Sequence, residues 1–328
     1  MLISIVIPTH NRPQLLSRAL ASVVGQDCPE LEIIVIDDAS SPEHQPGNAK
    51  LVQQAGDRVR YVLLPARSSG AGNGPSSARN AGVHAAHGEI VGFLDDDDEW
   101  LQAGFLRSAD TLFSADAELD FFFGDQRVVD HEGRCTREHY QPQLRTQILG
   151  RSAIGHDAYL LARGDGFTAD LSMASMNTCL FRRSFYLGFG GVNERLSYGE
   201  DRDLYIRAID AARHTIYLDR VVSINHRVDR SKGASLSSIP KIEQTTTALG
   251  IANELMRLCK TEEARHFAQL WAASDARDLA TAILPVQGLP RAAMWARVAL
   301  GYRPTLKWAV YTLWLSLRAL FARRRGPS

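Results

Sequence analysis

Cysteine is scarce in this 328-residue chain: Cys28, Cys135, Cys179 and Cys259 are the only four, and they are widely scattered. No CxxC pair and no Cys/His spacing suited to zinc occurs, so the sequence offers neither a disulfide framework nor a structural zinc site. A reduced, cytoplasmic compartment fits that usage best. Neither sign of charge is in excess, because 37 Lys and Arg balance 37 Asp and Glu. Nothing therefore draws the chain as a whole to nucleic acid or to an anionic membrane. The first residues open directly on a strand-like run, Ile3 to Ile7, too short and without the basic start of a secretory signal. Internal repeats are missing. So are two phosphate-binding signatures. Pro8 to Pro13 stand where a dinucleotide-binding domain would carry G-x-G-x-x-G, and no Walker A sequence follows any strand.

What the chain does have is concentrated between Ile90 and Trp100, Ile-Val-Gly-Phe-Leu-Asp-Asp-Asp-Asp-Glu-Trp. The apolar run reads as a buried strand. On an extended chain Asp95 and Asp97 point one way, Asp96 and Asp98 the other. Five carboxylates at the mouth of a sheet repel one another, so some must be protonated, exposed or neutralised by a cation. A hard divalent ion with oxygen ligands is the natural neutraliser. A solvated acidic loop is the plainer account, and an EF-hand is excluded. With Asp95 as the first loop position, Trp100 stands where the turn glycine belongs and Leu106 where the bidentate glutamate belongs.

Taken in order, Ile3 to Ile7, Leu31 to Ile36, Val59 to Leu64 and Ile90 to Leu94 read as strands. A helix with Leu15, Leu16, Ala19, Leu20 and Val23 on one face follows the first. Strands alternating with helices imply parallel βαβ units. In such sheets ligands bind beyond the carboxyl ends of the strands, where Asp37-Asp38 and Asp95 to Asp98 both stand. The glycine-rich stretch Gly70 to Pro75 precedes a helix starting near Ser76, and it suits either a mobile linker or a ligand-closing loop. Further on, Phe121 to Phe123, Asn177 to Arg182 and Ile216 to Val222 read as strands, and Glu132 to Asp170 is irregular. Gly188 to Gly191 breaks the chain. Glu200-Asp201-Arg202-Asp203 opens a helix, and its acids suit a helix N-terminus as capping groups as well as they suit chemistry. Beyond Ser235 the pattern is helical, with breaks expected at Gly250, Pro285, Pro290 and Pro304.

These segments together resemble the family 2 glycosyltransferases. The motifs that carry the resemblance are Ile-Val-Ile-Pro-Thr-His-Asn-Arg, Ile-Ile-Val-Ile-Asp-Asp-Ala-Ser, Ala-Arg-Asn-Ala-Gly, Phe-Leu-Asp-Asp-Asp-Asp-Glu-Trp, Gly-Gly-Val-Asn-Glu-Arg-Leu and Gly-Glu-Asp-Arg-Asp-Leu. They run from about Ile3 to His226 in the family's order. The resemblance implies an α/β, GT-A fold, Rossmann-like, with a mostly parallel sheet and flanking helices. It implies an inverting enzyme that uses a nucleotide-sugar donor. Pro8, Thr9 and Asn11 match the first-strand loop that lines the nucleotide base. Asp38 matches the aspartate that hydrogen-bonds the base, usually uracil, and Arg79 a donor-binding arginine. Asp95-Asp96-Asp97 matches the D-x-D motif, with Asp97 the ligand of a Mn²⁺ or Mg²⁺ on the diphosphate and Asp96 facing the sugar or ribose. Asp201 matches the general base, with Glu200 its nearest substitute. His226 stands where many relatives carry a histidine near the metal, although Ile-Asn-His-Arg-Val departs from their usual Tyr-Arg-x-His. A purely structural histidine stays open there.

The implied chemistry is one in-line displacement at the anomeric carbon. One carboxylate takes the acceptor's proton, and a cation meets the charge growing on the departing diphosphate. The expected organisation is a donor-binding half over 1–98, an acceptor half over 99–235 and a helical C-terminal appendage over 236–328. The expected partners are a nucleotide sugar, UDP-linked in this reading, and a saccharide or lipid-linked saccharide acceptor, with no nucleic acid. A sugar-nucleotide nucleotidyltransferase and a non-catalytic nucleotide-sugar-binding module on the same fold are the alternatives. The first would want a glycine-rich basic loop after strand one. Trp308 to Phe321 is apolar nearly all round and too short to span a bilayer, which needs about 20 residues. It reads either as a buried packing helix or as a peripheral membrane contact over 308–325. In the second case Trp308, Tyr311 and Trp314 would stand at headgroup level and the terminal arginines would meet anionic lipid at the inner face of the membrane.

Overall fold

The computed structural model describes residues 1–67, 72–101, 104–227 and 239–324. The chain divides into two compact units, Met1–Lys232 and Gly233–Ser328. The first begins with β1 (Ile3–Thr9), α1 (Pro13–Val24), β2 (Leu31–Asp37), α2 (Gln45–Ala55), β3 (Val59–Leu63), α3 (Pro75–Ala85) and β4 (Ile90–Phe93). It continues through β5 (Glu99–Trp100), α4 (Phe105–Ala115), β6 (Leu119–Val129), β7 (Cys135–Arg137), α5 (Pro142–Ile148) and β8 (Ala158–Leu160). A single 3₁₀ turn, Met176–Thr178, leads into β9 (Cys179–Arg182), α6 (Arg183–Gly188), α7 (Glu200–Ala211) and β10 (His214–His226). The ten strands form one sheet in the order β3-β2-β1-β4-β9-β6-β10-β5, with β7 on β6 and β8 on β10. From β3 to β4 every pairing is parallel, and antiparallel pairing enters at β9. The expected donor and acceptor halves thus share one sheet.

The β-branched runs of β1 and β2 are buried along their whole length, as central parallel strands must be. One face carries Ile3, Ile5, Ile7, Leu16, Leu20 and Phe105. On the other, Phe121 and Phe181 stack at 4.7 Å, Tyr205 packs edgewise on Phe121, and Tyr186 lies tilted against Phe181. Proline stands at the first turn of α1 and α3, where a missing N–H goes unused anyway. Pro8 lies past the last β1 residue that pairs with β4, so its lack of a donor leaves that ladder whole. Gly82 lets α3 lie directly on β1: a Cβ there would come within 2.2 Å of Val6 Cγ1. The Ala-Arg-Asn-Ala-Gly motif is therefore in part a packing device that sets α3, and Arg79 on it, against the sheet.

Several local expectations change. β6 and β10 run well past Phe121 to Phe123 and Ile216 to Val222, because they pair with each other across most of their length. The irregular stretch Glu132 to Asp170 contains β7, α5 and β8. The break at Gly188 to Gly191 is preceded by a short helix, α6. In the second unit, α8 (Lys241–Leu258) runs straight through the expected break at Gly250, which is exposed. The breaks expected at Pro285 and Pro290 resolve into one kink inside α9 (Glu262–Tyr302). It lies at Gly288, with φ 77° and ψ 178°. The last helix, α10 (Leu306–Arg324), is neither fully buried nor fully free. Leu315 packs with Ala292, Ala293 and Ala296, with Trp308 and Tyr311 half-buried beside them, while the opposite face is exposed. Of the three rings expected at headgroup level, only Trp314 is on that exposed face. Arg325 lies outside the described residues, as do the side chains of Arg323 and Arg324 and residues 70–71 of the glycine-rich stretch. No helix among the described residues is long and apolar enough to cross a membrane.

Candidate active site

The carboxyl ends of β1, β2 and β4 lie side by side, and each delivers one part of the site. β2 ends in two aspartates with different tasks. Asp37 is buried and accepts from Ser40 N (2.8 Å), Asn48 Nδ2 (2.8 Å) and the Tyr61 hydroxyl (2.5 Å). Burial pushes its carboxyl up, but these donors outweigh it and hold the group below the ordinary carboxylate range. Asp38, one residue on, reaches the loop before α3. Its oxygens accept from Asn73 N (2.8 Å), Asn73 Nδ2 (3.0 Å) and Gly74 N (2.7 Å). A carboxylate offers about four lone-pair sites, so one donor more can be received. Asn11, at φ 58°, ties the first-strand loop to the turn after β2, donating from its backbone to Ser40 Oγ and accepting from Ser41 N.

After β4 the chain does not stay extended. Asp96 and Asp97 form a turn closed by Asp98 N donating to Asp95 O at 3.2 Å. The alternation expected along the run is therefore replaced. Carboxylate oxygens of Asp95, Asp97 and Asp98 converge within 4.8 Å, and Asp96 departs toward β1. There it accepts from Thr9 Oγ1 at 2.7 Å and lies 3.3 Å from Arg12 Nη1. Burial, with Asp97 and Asp95 adding to it, lifts Asp96 to about 6 against the pull of Thr9 and Arg12. Burial and the Asp95 charge push Asp97 up. Burial first, then Asp95 and Asp97, push Asp98 well up. Asp98 is orientated by three donors, the amides of Asn177 and Asn225 and His226 N. Asp95 takes Arg79 on its side chain and gives its N–H to Asn177 Oδ1. Among the described residues the Asp97 carboxylate has Arg12, at 3.5 Å, as its one ion-pair partner, and Arg18 donates to its backbone oxygen.

Three hard oxygen donors with too little compensating charge suit Mg²⁺ or Mn²⁺, and Asp97 is the carboxylate least committed to protein. The ring of His226 pairs with Glu99. It is not among the convergent ligand atoms, and its Nε2 lies 2.9 Å from Glu99 Oε1. The strand β10 brings its backbone, rather than its ring, to the aspartates.

The second acidic group stands at the start of α7, where Gly199 at φ 75° turns the chain in. No side chain caps this helix end. Asp203 is engaged by Arg207 one turn on, and Asp201 Oδ1 accepts from Arg202 N at 2.7 Å. Burial and the neighbouring Asp201 push Glu200 up, partly offset by Arg79. Arg79 is the link between the two groups. Its guanidinium is buried, pairs with Asp95, and lies 3.7 Å from Glu200 Oε1. Tyr140 borders the same space, its phenol pushed up by burial and by Asp201. Sequence reading passed over Arg12, Asn177, Asn225 and Tyr140. Asn177 alone holds Asp98, Asp95 N and, through its carbonyl, Trp100 Nε1 at 2.6 Å. No local pattern marks such an asparagine.

Residues 4–158 match the family described as glycosyl transferase family 2. Among curated relatives, the chain is 32% identical over 185 residues to the GalNAc(5)-diNAcBac-PP-undecaprenol beta-1,3-glucosyltransferase of Campylobacter jejuni, covering 56% of each protein. It is 31% identical over 224 residues to the succinoglycan biosynthesis protein ExoU of Rhizobium meliloti, covering 65% of this chain and 59% of that one. The matches thus span about half the length of these relatives. Among solved structures, the chain is similar to S. aureus TarS in complex with UDP-GlcNAc, with a TM-score of 0.63, 20% identity, and coverage of 92% of this chain and 80% of that one. It is also similar to the mannosyltransferase PcManGT of Pyrobaculum calidifontis in complex with GDP-Man and Mn²⁺, with a TM-score of 0.60, 18% identity, and coverage of 99% and 88%. At these identities the likeness establishes the GT-A fold of this chain.

Proposed function

We propose, from the match of residues 4–158 to glycosyl transferase family 2, that the chain moves a sugar from a nucleotide-diphosphate donor, a UDP-sugar, to an acceptor hydroxyl by a single inverting displacement. The observation that carries the reading is the placement of Arg79 between two acidic groups from distant parts of the chain, Asp95 and Glu200. That pairing brings the carboxyl end of β4 and the start of α7 together.

In this reading Pro8, Thr9 and Asn11 line the base, and Asp38 accepts a hydrogen bond from it. Arg79 meets the donor's phosphates, and Asp96 faces the sugar or ribose. Mn²⁺ or Mg²⁺ held at Asp97, beside Asp95, would neutralise charge growing on the leaving diphosphate. Asp201 takes the proton from the acceptor hydroxyl as the new bond to the anomeric carbon forms. Glu200, pushed up by burial and by the neighbouring Asp201, is the nearest substitute for Asp201 in that role. The acceptor is a saccharide or lipid-linked saccharide, a class supported by the undecaprenol-linked substrate in one relative's name. Such an acceptor would place the enzyme at the inner face of the membrane. The neighbours' titles name both uridine and guanosine donors, so the uridine preference rests on Asp38 and the resemblance.

The test is nucleotide release from a panel of nucleotide sugars with Mn²⁺, beside calorimetric donor binding. Asp201→Asn is expected to lower kcat by about a hundred- to ten-thousandfold with donor affinity nearly unchanged. If Asp201→Asn turns over like wild type, the base assignment is wrong. If GDP-sugars bind better than UDP-sugars, the uracil assignment fails while the site stands. If no nucleotide sugar binds, the reading as a whole is overturned.

A further inference from the structure

The second unit carries a surface to which the sugar-transfer chemistry gives no task. In α10, Leu315 and Ala319 are buried, and Trp308 Nε1 donates to Ala296 O at 3.0 Å. The opposite face holds Val310, Leu313, Trp314, Leu317, Leu320 and Phe321, each 44–61% exposed. At 3.6 residues per turn these six fall in an arc of about 120°, a continuous apolar stripe rather than scattered residues. Lys307 and Arg318 flank one edge of the stripe, and the Arg318 guanidinium lies 4.9 Å from the Trp314 ring.

The charge of the chain is divided in the same place. From Leu279 to Ser328 there is no Asp or Glu, and there are eight Lys and Arg. The other 29 of the 37 cations share residues 1–278 with all 37 acids. A neutral total therefore conceals an acid-free, cationic C-terminal segment around an exposed apolar stripe. That pairing of an apolar face with basic flanks is what an anionic bilayer surface binds. A second copy of the chain is a poorer occupant, because a two-fold contact would set the same cationic segment against itself.

We propose that α10 lies flat on an anionic lipid bilayer, its stripe seated at the boundary between headgroups and acyl chains and the surrounding cations against lipid phosphates. Spanning is not involved, since no described helix is long and apolar enough to cross. The inference stands independently of the donor and base chemistry.

The test is co-sedimentation of the full chain with phosphatidylcholine vesicles, with and without phosphatidylglycerol, at low and high salt. Wild type is expected to pellet with the anionic vesicles at low salt and to be released by salt. Leu313→Glu with Leu317→Glu is expected to reduce the bound fraction about tenfold or more, with an unchanged thermal melt because both residues are exposed. Leu313→Gln alone, a milder change, should give a smaller loss in the same direction. Lys307→Gln with Arg318→Gln should weaken binding to anionic vesicles and leave the weak binding to neutral ones alone. The proposal is overturned if wild type stays in the supernatant with anionic vesicles at low salt. It is also overturned if the folded double glutamate variant pellets like wild type, or if that variant instead splits a wild-type dimer in lipid-free solution.

Discussion

The two ends of the parallel strands treat buried carboxylates in opposite ways. At the amino ends, Glu32 on β2 accepts from Ser4 Oγ (2.5 Å), Arg60 Nη1 (2.6 Å) and His87 N (2.9 Å). Burial pushes its carboxyl up, yet these donors bring it down to about 2. At the carboxyl ends, Asp96 is lifted to about 6, and Asp97 and Asp98 are also raised. Both sets grow from the same sheet, and Glu32, Asp96 and Asp98 are all buried. The difference is what surrounds them. Glu32 has an arginine and N–H groups directed at it and no second carboxylate beside it, whereas Asp96 and Asp98, though they too accept hydrogen bonds, stand beside neighbouring carboxylate charges. A fold that holds a buried acid down at one end leaves three raised at the other, where ligands of such sheets bind.

The comparison is broken most severely by removing the least satisfied carboxylate. Asp97→Asn is expected to remove several kcal/mol of metal-assisted transition-state stabilisation, on the order of a thousandfold in Mn²⁺-dependent turnover. Calorimetry should show loss of Mn²⁺-dependent donor binding while the fold persists. A variant that binds donor and Mn²⁺ like wild type would leave the upward-shifted carboxyls at this end without a function.

At the opposite end the expected loss is stability. Glu32 has a folded pKa of about 2, below its ordinary 4.5. Its contribution is complete above about pH 4.5 and disappears as pH falls through the folded value. Glu32→Gln should lower unfolding free energy by roughly 2–3 kcal/mol at pH 7. In denaturant titrations the gap from wild type should close between about pH 4.5 and pH 2. An undiminished gap at pH 2 would assign the effect to packing.

Asp38 lies between these cases, well satisfied yet at the ligand end. Asp38→Ala should weaken UDP binding by about 1.5–3 kcal/mol, the range for a hydrogen bond to a charged group. If only the melting temperature falls and UDP affinity holds, its work is confined to the loop at Asn73 and Gly74.

The smallest effect has the opposite sign. Asp96 has a folded pKa of about 6, above its ordinary 3.8, so its ionised form opposes folding at pH 7 and the opposition fades as pH falls from about 6 toward 3.8. Asp96→Asn should therefore raise the metal-free unfolding free energy by about 1 kcal/mol at pH 7, less than the full shift because Arg12 loses a partner. The gain should vanish near pH 4, and a destabilised variant at pH 7 would show that Thr9 and Arg12 already satisfy the ionised form.

Much of this was determined by the sequence alone. β-branched runs are buried strands wherever they fall, because only a sheet interior pairs their backbone and hides their side chains. Acids after such runs must lie at the carboxyl ends of strands. The positions of Asp38 and Asp97 were accordingly legible from local pattern, and that of Asp201, at the start of a helix, from the order of the motifs. Tertiary structure decided what local pattern cannot carry. The turn at Asp96-Asp97 brought Asp98 into the cluster and sent Asp96 to Thr9. Sheet order, with β9 beside β4 and β10 beyond it, brought Asn177 and Asn225 to Asp98 from residues 79 and 127 away in the chain. For His226 the same placement brought the backbone N–H to the aspartates and left the ring with Glu99. For α10, composition could show only that the helix is apolar nearly all round. Which half is covered depended on where the alanines of α9 stand, because periodicity records the faces of one helix and not the neighbour that meets them.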